Sequence, residues 1–199
     1  MSLSSEKKTA IKPGRIIIVS GPSGSGKTTL HKKLLASRKL KGKVVKSVSV
    51  TTRPRRPGER AGRDYIFLTP KPFLAKQAAG QFLESQKVFD YYYGTPARNV
   101  EQLLRKGKCV LLCIDVKGAR EVWQKYPAAL KVFIKTPTLK VLGDRLKKRG
   151  TERLKDLALR LKTARQELAQ APYYDYVIVN DELKKAYRKL ENWLCNQLN

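Results

Sequence analysis

The chain has 199 residues, of which 41% are hydrophobic and 30% charged. This balance favours one folded globular domain over a disordered chain. Its apolar runs are strand-sized and far short of the ~20 residues that cross a bilayer, so no membrane partner is expected. The formal net charge of +27 attracts polyanions, but the basic residues are spread from Lys7 to Lys189 and aromatic residues for stacking are few. Nucleic acid binding is therefore expected only as a non-specific consequence of the charge.

The start of the chain, MSLSSEKKTAIKPG, contains lysines and serines but no apolar run. This composition is not that of a signal peptide, and we interpret residues 1–14 as a flexible basic tail. The three cysteines are odd in number, and Cys109 and Cys113 lie in an apolar strand pattern. That spacing suits neither a disulfide framework nor a zinc site, so it indicates reduced thiols and a cytoplasmic protein.

From residue 15 onward, short apolar runs alternate with segments of helical periodicity. The runs that predict strands are RIIIVS (15–20), VVKSVSV (44–50), CVLLCID (109–115), LKVFIK (130–135) and YVIV (176–179). Helices are predicted at 28–38, 100–107, 117–125, 138–150 and 153–170, with an amphipathic helix at the end. Apolar strands alternating with helices predict an α/β fold with a parallel sheet covered by helices on both faces.

Residues 51–95 interrupt this alternation. They contain turns rich in Pro and Gly, a strand candidate at 65–68, a short helix after Pro72 and the β-prone run YYY at 91–93. We interpret this segment as an α+β lobe inserted into the parallel core.

The turn after the first predicted strand reads GPSGSGKT, from Gly21 to Thr28. This is the P-loop pattern, with the strand before it and the helix after it that the pattern requires. Its glycines allow backbone N–H groups to surround phosphates, and the following helix adds the positive end of its dipole. Lys27 would reach the β- and γ-phosphates, and Thr28 would offer a hydroxyl to Mg²⁺. The motif predicts that the chain binds a nucleoside triphosphate.

Asp115 ends an apolar strand and has two interpretations. It could supply a carboxylate on the metal side of the site, or it could cap the helix that begins near Lys117. Both can hold at once, and the sequence leaves the choice open.

Further motifs follow the P-loop in a characteristic order. They are SVSVTTRPRRPGE (47–59), GRDYIF (62–67), FLES (82–85), YYGT (92–95), IDVKGA (114–119), RLKKRGTE (145–152), RLKTARQEL (160–168) and YDYVIVND (174–181). With these motifs the chain resembles the guanylate kinases, from Arg15 to about Asn192. The resemblance implies transfer of the γ-phosphate of ATP to GMP, with Mg²⁺, in cytoplasmic purine nucleotide metabolism. It also implies a domain over 15–199: a core of 15–50, 96–144 and 171–199, a GMP-binding lobe at 51–95 and a helical lid at about 145–170.

The resemblance assigns a group of residues to GMP. They are Ser49, Arg53, Arg56, Tyr65, Glu84, Tyr93, Thr95 and Asp115. Guanidinium groups suit a dianionic phosphate because they bind it bidentately, and tyrosine hydroxyls add directed donors. A carboxylate at position 84 would accept hydrogen bonds from the guanine edge, with Thr95 touching the base. The neighbouring arginines at 55, 60 and 63 are expected to be surface charge.

A second group is implied for ATP and for the transfer step. The ATP-binding residues are Gly21, Pro22, Ser23, Gly24, Ser25, Gly26, Lys27, Thr28, Thr29, Arg145 and Asn180. Transfer would depend on Lys27, Arg56, Arg149 and Arg160, whose positive charges align and stabilise the moving phosphoryl group. The implied metal ligands are Thr28 and, through water, Asp115.

The chain departs from the family pattern within TTRPRRPGE, where Pro54 stands at a variable position and Arg55 replaces the usual proline, and at two positions near Asp115. Cys113 stands where the family commonly has an acid, and Lys117 where it has glutamine. Their effect on metal or guanine binding stays open, as do the oligomeric state and the use of dGMP.

Rival interpretations are a scaffold of this fold without catalysis, a basic nucleic-acid-binding protein, and a kinase for another phosphorylated sugar or nucleotide. The intact P-loop argues against the scaffold, and Glu84 with Thr95 argues for guanine over another substrate. The nucleic-acid alternative stays open and predicts binding that falls steeply with salt and does not depend on GMP.

Overall fold

The computed structural model describes residues 14–148 and 154–198 of the chain. The strands are β1 Ile16–Ser20, β2 Val44–Lys46, β3 Val50–Thr51, β4 Ile66–Phe67, β5 Phe82–Val88, β6 Tyr91–Pro96, β7 Cys109–Cys113, β8 Leu130–Lys135 and β9 Tyr176–Val179. The helices are α1 Lys27–Leu35, α2 Pro70–Ala78, α3 Ala97–Arg105, α4 Val116–Lys125, α5 Leu139–Lys148, α6 Leu154–Leu168 and α7 Leu183–Gln197, with a 3₁₀ turn at Ala171–Tyr173.

Five strands form a central parallel sheet in the order β2-β7-β1-β8-β9. All residues of β1 are buried, because a parallel sheet with helices on both faces has two apolar sides. One face packs against α3 and α4 through residues such as Val100 and Val122. The other packs against α1 and α7 through Leu30 and Leu190. The predicted fold is confirmed.

A second sheet of four strands, in the order β4-β3-β6-β5, lies within the segment predicted as an inserted lobe. The single strand predicted at 44–50 is wrong: its first half is β2 of the parallel sheet, and its last residue opens β3 of the second sheet. The chain crosses between the two sheets at 47–49. Strand β5 was not predicted, because FLESQKV mixes polar and apolar residues without a clean alternation.

Helices α5 and α6 pack on each other through a small apolar cluster of Leu142, Leu146 and Ala164. The segment that joins them is outside the described residues, and so are Arg149 and residues 1–13 of the tail predicted at 1–14. Each helix in the described ranges is too short or too polar to span a membrane.

Candidate active site

A cleft of about 650 Å³ opens where the carboxyl ends of β1 and β7 face the second sheet and α6. The carboxyl edge of a parallel sheet is the usual place for a ligand site in this class of fold. Predicted residues that line the cleft are Gly21, Ser23, Gly24, Gly26, Lys27, Thr28, Thr29, Ser49, Arg53, Arg56, Tyr65, Glu84, Tyr93, Asp115 and Arg160. Residues from both predicted groups therefore surround one space.

The P-loop is held in a conformation that glycine permits. Gly26 has φ of 96°, and a Cβ there would lie 2.1 Å from the Asn180 side-chain nitrogen. The Lys27 ammonium donates hydrogen bonds to the carbonyl oxygens of Gly21 and Pro22, the latter at 2.8 Å. Helix α1 begins at this lysine with no acidic residue in its first turn, so the positive end of its dipole faces the loop undiminished.

Asn180 and Arg145 support the P-loop from outside the cleft. The buried Asn180 amide donates to the Ser25 carbonyl oxygen at 2.8 Å. The Arg145 guanidinium in turn donates to the Asn180 carbonyl oxygen at 2.9 Å. Four residues predicted to bind ATP do not line the cleft: Pro22, Ser25, Arg145 and Asn180. The hydrogen bonds described for them are made within the protein and support the P-loop.

Asp115 caps the N-terminus of α4, which was one of the two roles predicted for it. Its Oδ1 accepts hydrogen bonds from the backbone N–H groups of Lys117, at 2.8 Å, and Gly118, at 3.1 Å. Asp115 also lines the cleft, as the P-loop does, so the capping role is compatible with its predicted metal role.

The residues around Thr28 suit Mg²⁺ held mainly by a bound nucleotide. Among the described residues, no group of three or more His, Cys, Asp or Glu side chains could hold a metal by itself. Mg²⁺ typically uses one or two protein oxygens and completes its shell with phosphates and water. The Thr28 hydroxyl and the Asp115 carboxylate supply such oxygens. Thr28 also lies within hydrogen-bonding reach of the Cys113 thiol, whose pKa is raised by burial.

Arg53 is a preorganised cation on the wall of the second sheet. Its side chain is 7% exposed, and the guanidinium donates to both carboxylate oxygens of Glu59, at 2.8 and 3.0 Å. It also lies over the Tyr65 ring at 5.6 Å, and Tyr65 packs edge-on against Tyr93 at 6.2 Å. No role was predicted for Glu59, although it belongs to the motif SVSVTTRPRRPGE, in which Arg53 and Arg56 were predicted to bind GMP. Arg56 is exposed at the rim of this group.

Glu84 is a buried carboxyl in the lining of the cleft. It is 3% exposed and accepts a hydrogen bond of 2.6 Å from the Thr95 hydroxyl, which does not itself line the cleft. Burial raises the pKa of Glu84 to about 8, with Asp115 and Glu121 adding to the shift and Lys125 opposing it. A Cβ on Gly118 would lie 2.5 Å from the carboxylate, so the glycine allows α4 to approach this closely.

Apart from Arg160, two lining segments were not predicted from the sequence. The first is the hairpin between β5 and β6, including Phe89, and the second is the inner face of α6. On α6, Thr163 and Glu167 follow Arg160 at spacings of three and seven, and all three line the cleft. That helical periodicity was visible in the sequence and could have identified them. Burial raises the pKa of Glu167 to about 7, and Lys27 and Lys117 oppose the shift.

The arginines predicted as surface charge are exposed. They are Arg55, Arg60 and Arg63. Arg63 pairs with Asp64 at 2.9 Å, and Asp64 also lies 3.3 Å from Lys32 of α1. Hydrogen bonds from the Arg60 backbone N–H, followed by those from Arg63 and Lys32, hold the pKa of Asp64 well below its usual range. This cluster joins the second sheet to the core.

Comparison with known proteins matches residues 13–197 to the guanylate kinase family. A guanylate kinase of Thermosynechococcus vestitus is 46% identical over 90% of this chain and 93% of its own length. One from Carboxydothermus hydrogenoformans is 41% identical over 89% of this chain and 86% of its own. The crystal structure of a guanylate kinase from Anaplasma phagocytophilum superposes with a TM-score of 0.75 at 33% identity, covering 94% and 87% of the two chains.

Proposed function

This chain belongs to the guanylate kinase family, and we propose that it transfers the γ-phosphate of ATP to GMP, giving ADP and GDP, through the cleft described above. The observation that carries the proposal is the arrangement of two anion sites in one space. The P-loop with Lys27 lines one side of the cleft, and Arg53 with Tyr65 and Tyr93 lines the other. Two phosphorylated substrates held face to face suit a direct transfer.

ATP occupies the P-loop side in this proposal. The Lys27 ammonium exchanges its carbonyl partners for the β- and γ-phosphates, and the N-terminus of α1 faces the phosphate chain. Thr28 and, through water, Asp115 would hold Mg²⁺, which neutralises charge on the phosphates when it is bound. Arg145 and Asn180 act on ATP through the position of the P-loop.

GMP occupies the second-sheet side. Arg53 and Arg56 bind its phosphate with Ser49, Tyr65 and Tyr93, and Glu84 faces the guanine with Thr95 beside it. The Glu59 carboxylate holds Arg53 in place, so less side-chain entropy is lost when the phosphate binds. A buried carboxylate accepts hydrogen bonds from the N1–H and amino group of guanine, whereas adenine presents an acceptor at its N1.

Transfer needs no general base, because a phosphate oxygen of GMP is already a nucleophile. The bond from this oxygen to the γ-phosphorus forms as the bond to the β–γ bridging oxygen breaks, and ADP leaves with that electron pair. The protein contributes alignment and positive charge from Lys27, Arg56 and Arg160, with Arg149 as the fourth predicted cation. Helix α6 belongs to the proposed lid at about 145–170, which excludes water from the γ-phosphate.

Two details of the proposal rest on sequence alone. The place in purine nucleotide metabolism follows from GDP as the product, and the cytoplasmic location follows from the pattern of the cysteines. The enzymatic test below bears on neither of these two details.

The test is ADP production from ATP and Mg²⁺ with GMP, AMP, CMP or UMP offered singly. We expect turnover with GMP alone, and we expect Glu84→Ala to lower kcat/KM for GMP about 100-fold, because two hydrogen bonds to a buried charge are lost. Glu101→Ala, which removes an exposed carboxylate from α3, is the matched control and retains full activity.

Absence of turnover with every nucleotide contradicts the proposal and favours a non-catalytic scaffold. Turnover with a different monophosphate, unaffected by Glu84→Ala, shows instead that the base site is misassigned. Binding of nucleic acid that falls steeply with salt and is indifferent to GMP would mark the rival based on charge.

A further inference from the structure

An aromatic side chain of the second sheet meets a lid arginine across the cleft. Phe89 lies at the tip of the hairpin between β5 and β6, and Arg160 lies on α6. The central carbon of the Arg160 guanidinium lies over the Phe89 ring, 4.4 Å from its centroid. Both side chains line the same cleft as Lys27 and Glu84. The contact thus joins the lid helix to the wall that is proposed to hold GMP.

The backbone of Phe89 indicates that this placement is specific. Its φ is 54°, the positive-φ conformation, and among the described residues no other non-glycine residue has one. Bulky residues rarely adopt this region, which costs of the order of 1 kcal/mol or more and usually persists where the surroundings impose it. Phe89 is also absent from the apolar clusters that form the core. Its ring is therefore directed at the cleft rather than used for core packing.

An aromatic face holds a cation differently from a carboxylate. Arg53 is fixed by Glu59, whose negative charge cancels much of its own. A ring attracts the guanidinium through its quadrupole without adding a negative charge. With a ring over its face, the guanidinium keeps its N–H edges for other partners. The Phe89 ring can thus orient the Arg160 guanidinium without itself adding a negative charge to the cleft.

We infer that Phe89 is a positioning residue for phosphoryl transfer: its ring orients the Arg160 guanidinium over the cleft, so that the cation meets the transferred phosphoryl group already aligned. The inference rests on the proposed function, in which Arg160 acts on that group. It also gives the hairpin a task, which is to couple the wall of the GMP site to the lid.

The experiment compares kcat and KM of four variants with the wild type. Phe89→Leu keeps bulk but removes the ring, and Phe89→Gly removes the ring while tolerating the positive φ. Both are expected to lower kcat by roughly two- to thirtyfold, the range of one cation–π contact, with KM for GMP and ATP changed much less. Phe89→Tyr retains the ring and keeps most of kcat. Asp90→Ala, at the neighbouring exposed position of the same tip, is the control and stays at wild-type activity.

A double-mutant cycle separates positioning from general damage. In an Arg160→Ala background, which is itself slow, replacing Phe89 by Leu or Gly is expected to cause no further loss of kcat. Thermal melting is measured for each variant, and Phe89→Gly is expected to melt no lower than Phe89→Leu because it relieves the backbone.

Three results would overturn the inference while the wild type remains an active GMP kinase. These are full kcat in Phe89→Gly and Phe89→Leu, an equal loss in Phe89→Tyr, or losses that add fully to that of Arg160→Ala. A wild type without GMP kinase activity refutes the proposed function instead, so the two failures are distinguishable.

Discussion

At the scale of single residues, two acids on the second-sheet side of the cleft, Glu59 behind Arg53 and Glu84 in the lining, have surroundings that give them opposite properties. Glu59 receives hydrogen bonds from the Arg53 guanidinium and the Arg56 backbone N–H, and these lower its pKa although its partial burial opposes them. Glu84 has one hydroxyl donor, and burial raises its pKa to about 8. The first acid is therefore a permanent anion that fixes an arginine, whereas the second becomes fully charged only when donors or pH favour it.

This raised pKa predicts that GMP binding strengthens as pH rises from 7 to 8.5. Guanine donors need the carboxylate form of Glu84, and with a pKa of about 8 that form is scarce at pH 7 and predominates at pH 8.5. The dissociation constant for GMP, measured by calorimetry, should fall several-fold over this interval. The GMP phosphate is already a dianion there, since its second pKa is near 6.

Glu84→Gln is the control for this pH dependence, because Gln does not titrate. Asp115, Glu121 and Lys125 also face Glu84, and Glu167 titrates near neutrality, but all four remain in the variant. A slope that persists in Glu84→Gln would therefore assign the effect to one of them.

At the scale of elements, the P-loop depends on a contact from the far end of the chain. Asn180 follows β9 and lies against the loop because β9 and β1 flank β8 in the sheet. This sheet order places a residue near the C-terminus beside the loop that follows the first strand. The loop is thus shaped both by its own glycines and by a tertiary neighbour.

Gly26→Ala is expected to damage this element. Alanine would have to adopt φ of 96°, and its Cβ would meet the Asn180 amide nitrogen at 2.1 Å. We expect unfolding in urea to show a loss of about 1–3 kcal/mol and ATP binding to weaken at least tenfold. Gly42→Ala is the matched control, since its φ is 79° but nothing lies within 4 Å of the added Cβ. It should lose stability through the backbone alone and keep its ATP affinity.

Strands and helices could be predicted from the sequence where the local pattern of apolar and polar residues determines them. The strands at 130–135 and 176–179 were predicted with their observed bounds, because each is a short apolar run between polar turns. The run at 44–50 is equally β-prone throughout, and its division between two sheets depends on the strand partners of each half. The site residues were predicted from motifs and from the family resemblance, and many of them line the cleft, whereas the pairing of Phe89 with Arg160 requires the folded chain.

At the scale of the whole molecule, the chain has a formal net charge of +27, and its cleft is proposed to bind two polyanionic substrates. Charges more than a Debye length away, about 8 Å at physiological salt, are largely screened. Cations that line the cleft are screened less, because they lie closer to the bound substrates than this distance. Lys117 is exposed within the cleft, whereas Lys41 lies in the turn before β2, at the opposite edge of the sheet.

We therefore expect the local charge, rather than the total, to determine substrate affinity. Lys117→Gln should raise KM for GMP or ATP several-fold at 0.15 M salt, and Lys41→Gln, an identical change of charge, should leave both constants unchanged. At 0.01 M salt the Debye length grows to ~30 Å, and there Lys41→Gln should begin to raise KM as well. The measurement is KM for GMP and for ATP, from steady-state kinetics of the two variants at both salt concentrations. Equal effects of the two substitutions at 0.15 M would mean that the general positive field attracts the substrates, and that Lys117 has no particular part in it.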